Sequence, residues 1–216
     1  MFVGHYGISF AVKRADGAIP LWLLFLAVQW LDVVWAPLVL MGIEKVRIVP
    51  GFTATNPLDL YYMPFTHSLI AALLWSLAGM CVWRLLTRTS WSTSQLIGLA
   101  IFSHWILDFV VHIPDLPLYD NTMKVGLGLW NRPILAFGLE ATVLLLAVLL
   151  YLRVTPVHRA GTITFAFVML GAQAYIFFGP PPASSDAAAA TALAAYAIFA
   201  FVIWVLADRG VKRQAV

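Results

Sequence analysis

The run Ser103-His104-Trp105-Ile106-Leu107-Asp108-Phe109-Val110-Val111-His112 places three ionisable side chains at four-residue spacing in a segment otherwise apolar enough to lie inside a membrane. Four residues advance a helix by about 400° and ~6 Å, so His104, Asp108 and His112 form one slowly drifting stripe. Imidazole and carboxylate suit a divalent transition metal. At membrane depth such groups face a bundle interior or a wet cavity, because each costs on the order of 3 kcal/mol or more when turned to lipid unpaired. Further donors stand elsewhere: His5 in the N-terminal stretch, Asp32 and His67 at the next two apolar runs, Asp115 just past the stripe, and Glu140 one to two turns into a later run.

The elements that must position them follow from composition. The 216 residues are 62% hydrophobic and 11% charged, with mean hydropathy +0.89, outside the range of soluble domains. Apolar runs long enough to cross a bilayer occur at Ile19–Gly42, Thr66–Leu86, Thr93–Ile113, Pro133–Leu152, Thr162–Phe178 and Ala187–Ala207. The expected fold is an all-α polytopic membrane protein of about six transmembrane helices, with residues 1–12 forming a short re-entrant or interfacial helix. Residues 1–216 read as one integral membrane domain, in which 1–152 carry the site and 161–207 are scaffold. Pro20 and Pro133 suit helix starts, and Pro37 should loosen the first span. Thr66 is the expected N-cap of the second helix, with His67 in its first turn, where the helix dipole favours the neutral imidazole that binds metals.

Charge supplies an expected orientation. Of the 13 Lys and Arg, nine (Lys13, Arg14, Arg84, Arg88, Arg153, Arg159, Arg209, Lys212, Arg213) fall on one side of the spans and four (Lys45, Arg47, Lys124, Arg132) on the other. The positive-inside rule puts both termini in the cytoplasm of a cell (inner) membrane protein. The net charge of +3 is thus topological and points to no nucleic acid, leaving membrane lipids as the expected partners. Oligomeric state is not encoded in any recognisable way. The lone Cys81 precludes a disulfide framework, and Lys13-Arg14 follows the first apolar stretch instead of preceding it, so no cleavable signal peptide is expected.

Two outer connections are long, Ile43 to Phe65 and Pro114 to Arg132, and their Tyr61, Tyr62 and Trp130 fit the headgroup level. At ~1.5 Å per residue, His104, Asp108 and Asp32 lie about 17, 23 and 20 Å from the inner ends of their helices, a shared level. His67, His112 and Asp115 widen the group toward the outer face. Glu140 is a candidate ligand, supporting carboxylate or general base.

In these residues the chain resembles the membrane-bound metal-dependent hydrolase family, itself similar in motif order to zinc-dependent phospholipase C. The shared order is Gly4-His5, then Asp32, then Thr66-His67-Ser68-Leu69, then Ser103-His104 with Asp108, across about residues 4 to 115. Two places depart from it. Gln29 and Asp32 stand where members often carry paired aspartates, and Tyr61-Tyr62-Met63-Pro64 stands where they often have His-Arg. The resemblance implies a hydrolase acting on a phosphoester.

The leading expectation is therefore a metal-dependent hydrolase with a lipid-like phosphoester substrate. Its one to three divalent ions, zinc first with manganese or iron as alternatives, would be held by His5, Asp32, His67, His104, Asp108, His112 and Asp115, with Asp108 and Glu140 as the catalytic carboxylates. Composition and spacing alone leave two alternatives open: a metal-ion or proton-coupled transporter using the same groups, and an inactive structural member of the family.

Overall fold

The computed structural model describes residues 1–155 and 158–209; Lys212 and Arg213, used above for orientation, lie outside the described residues. Within them the chain forms eight α-helices and one small hairpin: α1 (Val3–Ala15), α2 (Leu21–Val28), α3 (Trp30–Leu40), β1 (Lys45–Ile48), β2 (Leu58–Tyr62), α4 (Leu69–Thr87), α5 (Trp91–Val111), α6 (Pro133–Val154), α7 (Arg159–Phe178) and α8 (Ser185–Ile203). A π turn, Trp204–Asp208, extends α8. Helices α4 to α8 are long and apolar enough to cross a membrane, and α2 with α3 makes a sixth such segment, bent by 55°. This is an all-α polytopic membrane protein.

The first span differs from its sequence reading. It breaks at Gln29, while Pro37 sits inside α3 without interrupting it. The carbonyl of Val28, beside the break, accepts from His104 Nδ1 at 2.7 Å. The bend is thus stabilised by a side chain from another helix, which local propensity does not register.

Helix α1 is short, about 20 Å at 1.5 Å per residue, yet lies inside the bundle, with Val3, His5, Tyr6, Ser9 and Phe10 buried. It rests chiefly on α6. Gly7 permits that approach, since a Cβ there would fall 2.8 Å from the Val143 carbonyl oxygen. Its N-terminal amides are satisfied from across the interface: Glu140 Oε2 accepts from Phe2 N at 2.8 Å and Gly4 N at 3.1 Å, and Gln173 Nε2 donates to Glu140 Oε1 at 3.0 Å. A buried carboxylate at a helix N-terminus meets both the orphan donors and the dipole.

The connection between α3 and α4, read from sequence only as a long loop, contains the β1–β2 hairpin. It is antiparallel, with Lys45 opposite Tyr62, Arg47 opposite Asp59 and a bulge between Lys45 and Arg47. Arg47 Nε donates to Asp59 Oδ2 at 2.9 Å. Leu60 and Val46 turn inward onto Trp35, Met63 and Leu116, a second small core that seats the hairpin on the bundle. The main core, where Tyr6, Phe10, Leu24, Phe25, Phe165 and Phe199 meet, fills the opposite end. Thr93 Oγ1 donates to Asp16 and Leu21 N to Asp208 at that end, so the α1–α2 turn, the start of α5 and the end of α8 lie together.

Candidate metal centre

Four segments converge around Asp108: α1, α3, the connection into α4, and α5 itself. From α5, His104 Nε2 lies 3.1 Å from Asp108 Oδ2; from α1, His5 Nε2 lies 3.2 Å from Oδ1; His67 and His112 place Nε2 at 3.8 and 3.7 Å from Oδ2. Asp32, from α3, brings Oδ1 to 3.3 Å from His67 Nε2 and 3.7 Å from His104 Nε2. The amino group of Met1 also meets Asp108 Oδ1. His5, His67, His104, His112 and Asp108 are all buried.

Each of three imidazoles is held by its other nitrogen. His104 Nδ1–H donates to the Val28 carbonyl at 2.7 Å and His112 Nδ1–H to Asp115 Oδ1 at 2.8 Å. The Thr66 hydroxyl donates to Glu44 Oε2 at 2.6 Å, so its oxygen accepts from His67 Nδ1–H at 2.7 Å. Glu44 also accepts from Phe65 N and Thr66 N. Burial pushes its carboxyl above the usual range, against the lowering by nearby His67 and by these bonds. With Nδ1 of these three rings held elsewhere, their Nε2 atoms all face the cluster, and in the neutral imidazole each presents a lone pair to it. This is how ligating histidines are oriented.

The consequence is electrostatic. His104 Nε2 faces a carboxylate oxygen at 3.1 Å without a hydrogen bond to it, and in the neutral ring lone pair meets lone pair. His104 Nε2 and both nitrogens of His5 are buried without a hydrogen-bond partner, and such atoms cost about 1–3 kcal/mol each when nothing satisfies them. A cation among them turns each repulsion into a coordinate bond.

The spacing fits. Bonds of 2.0–2.1 Å in a tetrahedral site put neighbouring ligand atoms about 3.3–3.4 Å apart, and the four contacts linking His67 and His104 Nε2 to Asp32 Oδ1 and Asp108 Oδ2 measure 3.1 to 3.8 Å. Two triads can each close around an ion, His5–His104–Asp108 and Asp32–His67–His104. The buried group could hold a metal ion.

Not every expected residue lies in that inner ring. Asp115 stands one layer out, on His112, and Glu140 has both oxygens on donors from α1 and α7. His112 is the C-cap of α5 in extended conformation, yet its ring remains on the stripe, against Trp130 at 4.1 Å between centroids. The N-cap of α4 is Ser68, whose Oγ accepts from Ala71 N at 3.1 Å, so His67 precedes the helix and the first-turn argument does not apply to it. Thr66 does a different job, between Glu44 and His67.

Sequence reasoning passed over Glu44, which has no local signal in its loop. It also passed over Tyr196, whose hydroxyl donates to Asp32 Oδ2 at 2.7 Å from a helix that looked like scaffold. A single phenol in an alanine-rich span was the available clue. No family model matches this chain, and no curated protein or solved structure does.

Proposed function

We propose that the protein is an integral membrane metal-dependent hydrolase of a phosphoester, with the ion held by Asp32, His67, His104 and Asp108, and His5 and His112 flanking it. One observation carries this reading: three Nε2 atoms converge on two carboxylates while each Nδ1 is held by a separate partner. The resemblance to the membrane-bound metal-dependent hydrolases adds the phosphoester, and zinc suits the donor set and spacing.

A divalent ion bound here would lower the pKa of water toward 7 and offset charge on a phosphoryl oxygen. The chain's own residues do the rest. Asp108, with its two oxygens toward different imidazoles, would accept the proton as the water oxygen attacks phosphorus and return it to the alkoxide oxygen as the P–O bond to the alcohol breaks. Tyr196 keeps Asp32 turned inward.

The apolar plug formed by Phe10, Leu24, Phe25, Phe165 and Phe199 favours a site reached from one end over a conduit, which needs polar groups leading to both faces. We place the hairpin end outside and the opposite end, where α1 finishes and α8 ends, in the cytoplasm of an inner membrane; the expected cytoplasmic N-terminus does not fit, because the Met1 amino group is buried at Asp108.

The test is metal content of the purified full-length protein, wild type beside Asp108→Ala, after exposure to zinc, manganese or iron. Stoichiometric metal that Asp108→Ala loses, together with metal-dependent release of phosphate from a phosphoester, is expected. Wild-type protein that takes up none of the three, or Asp108→Ala that keeps its full complement, overturns the reading.

A further inference from the structure

A cavity of about 710 Å³ has Asp32, His67, Asp108 and His112 in its wall. Elsewhere its lining is largely apolar. Ala188, Ala192 and Ala195 of α8 line it on one side, half-buried, and the end of α7 around Phe177 on another. The alanines recur at helical spacing on one face of α8, so the space exists because side chains there are missing. From Tyr196, which holds Asp32, back to Ala187 the helix rises about 14 Å, a groove rather than a socket.

The groove has a side opening. Helix α7 packs on α6 and α8 on α2 and α3, while α7 and α8 share no extended packing with each other. Phe165 and Phe199 meet at 5.4 Å between centroids near one end of the pair, and the cavity occupies the space nearer the hairpin. Its rim there is apolar and exposed: Tyr175 at 65% and Ile176 at 45%. On a helix suited to cross a membrane, such a rim meets acyl chains. A substrate arriving from water would have no use for it. In the same wall Trp35 is 5% exposed and its Nε1–H has no acceptor, a donor one helical turn from Asp32.

We propose that this cavity takes a phosphate-bearing lipid. It enters between the hairpin-side ends of α7 and α8 and lays an acyl chain along the alanine face of α8, with its phosphate at the His/Asp cluster and Trp35 donating to its ester oxygens. The placement of the phosphate rests on the hydrolase reading above; the acyl groove stands on the cavity alone.

The test uses full-length protein in phosphatidylcholine nanodiscs containing phosphatidic acid with a photoactivatable diazirine near the end of one acyl chain, and maps cross-links by mass spectrometry. Labelling concentrated on Ala188 to Ala195 and on Tyr175 to Phe177 is expected. It should be competed by unlabelled phosphatidic acid but not by glycerol phosphate, and reduced in Ala192→Trp and Ala188→Phe to the level of the lipid-facing Leu74 on α4. A thermal unfolding transition and a size-exclusion profile like those of the wild type report that both variants fold. Labelling of α8 no greater than that of Leu74, or equal labelling in both filled variants, overturns the proposal, as does equal competition by glycerol phosphate. The two readings separate cleanly. Groove labelling in a protein that takes up no metal removes the hydrolase and keeps the lipid site. Hydrolysis of a soluble phosphoester without groove labelling does the reverse.

Discussion

Thr66→Val removes one hydroxyl and changes little else in shape, and it reaches the metal centre through a single relay. In the wild type that hydroxyl stands 2.6 Å from Glu44 Oε2 and 2.7 Å from His67 Nδ1. Losing a hydrogen bond to a charged carboxylate costs about 1.5–3 kcal/mol of folding stability. His67 Nδ1–H loses its acceptor at the same time, and the ring is freed to rotate or change tautomer away from Asp32 and Asp108. Removal of such an orienting partner lowers metal affinity about 10–100-fold, or roughly 1.4–2.7 kcal/mol. Competition against a chromophoric chelator in detergent measures the affinity, and unfolding of the metal-free protein measures the stability. Thr66→Ser keeps the hydroxyl and should restore most of the affinity. A Thr66→Val protein that binds metal like wild type, or a Thr66→Ser protein as impaired as the valine variant, would refute the relay.

Glu140→Ala should loosen α1 and weaken metal binding through His5, at about 1–3 kcal/mol for each donor left without a partner; Glu140→Gln, which keeps an acceptor oxygen, should retain its metal, and complete loss of metal in the Gln variant counts against the anchoring role. The raised carboxyl of Glu44 has a definite pH consequence. The folded state binds the proton more tightly than the unfolded chain, whose ordinary value is 4.5, so the contribution of Glu44 is fully present below that value and is lost as pH rises through the folded one. Unfolding of metal-free wild type against Glu44→Gln across that window should show the difference narrowing in this direction, and a difference independent of pH contradicts it. Arg47→Ala breaks the ion pair with Asp59, but the Arg47 side chain is 62% exposed. Stability should change by no more than about 1 kcal/mol, with metal content unaltered; a loss of metal would mean that the hairpin shapes the centre.

Much of the architecture is legible along the chain because membrane burial acts on one segment at a time. A helix that must satisfy its backbone within lipid declares itself by length and apolarity, and α4 to α8 fall where the apolar runs lie. The polar residues inside those runs declare themselves by cost, which is why His104 and Asp108 stand out from sequence alone. The break at Gln29 does not, because the carbonyl of Val28 is satisfied by a residue 76 positions away. Pro37, the local warning, marks no break. The first turn of α4 was similarly ambiguous, since Thr66 and Ser68 are both competent caps and Glu44 decides between them by occupying the Thr66 hydroxyl.

By itself the sequence determined which residues could be ligands and that His104 and Asp108 sit in a membrane-grade helix, since residue type and hydropathy are local properties. Only the tertiary structure decided that His5 reaches Asp108, that Tyr196 reaches Asp32, and which nitrogen of His67, His104 and His112 is free. Those outcomes depend on distances between segments and on the acceptor each Nδ1–H finds. Spacing within a helix carries neither quantity.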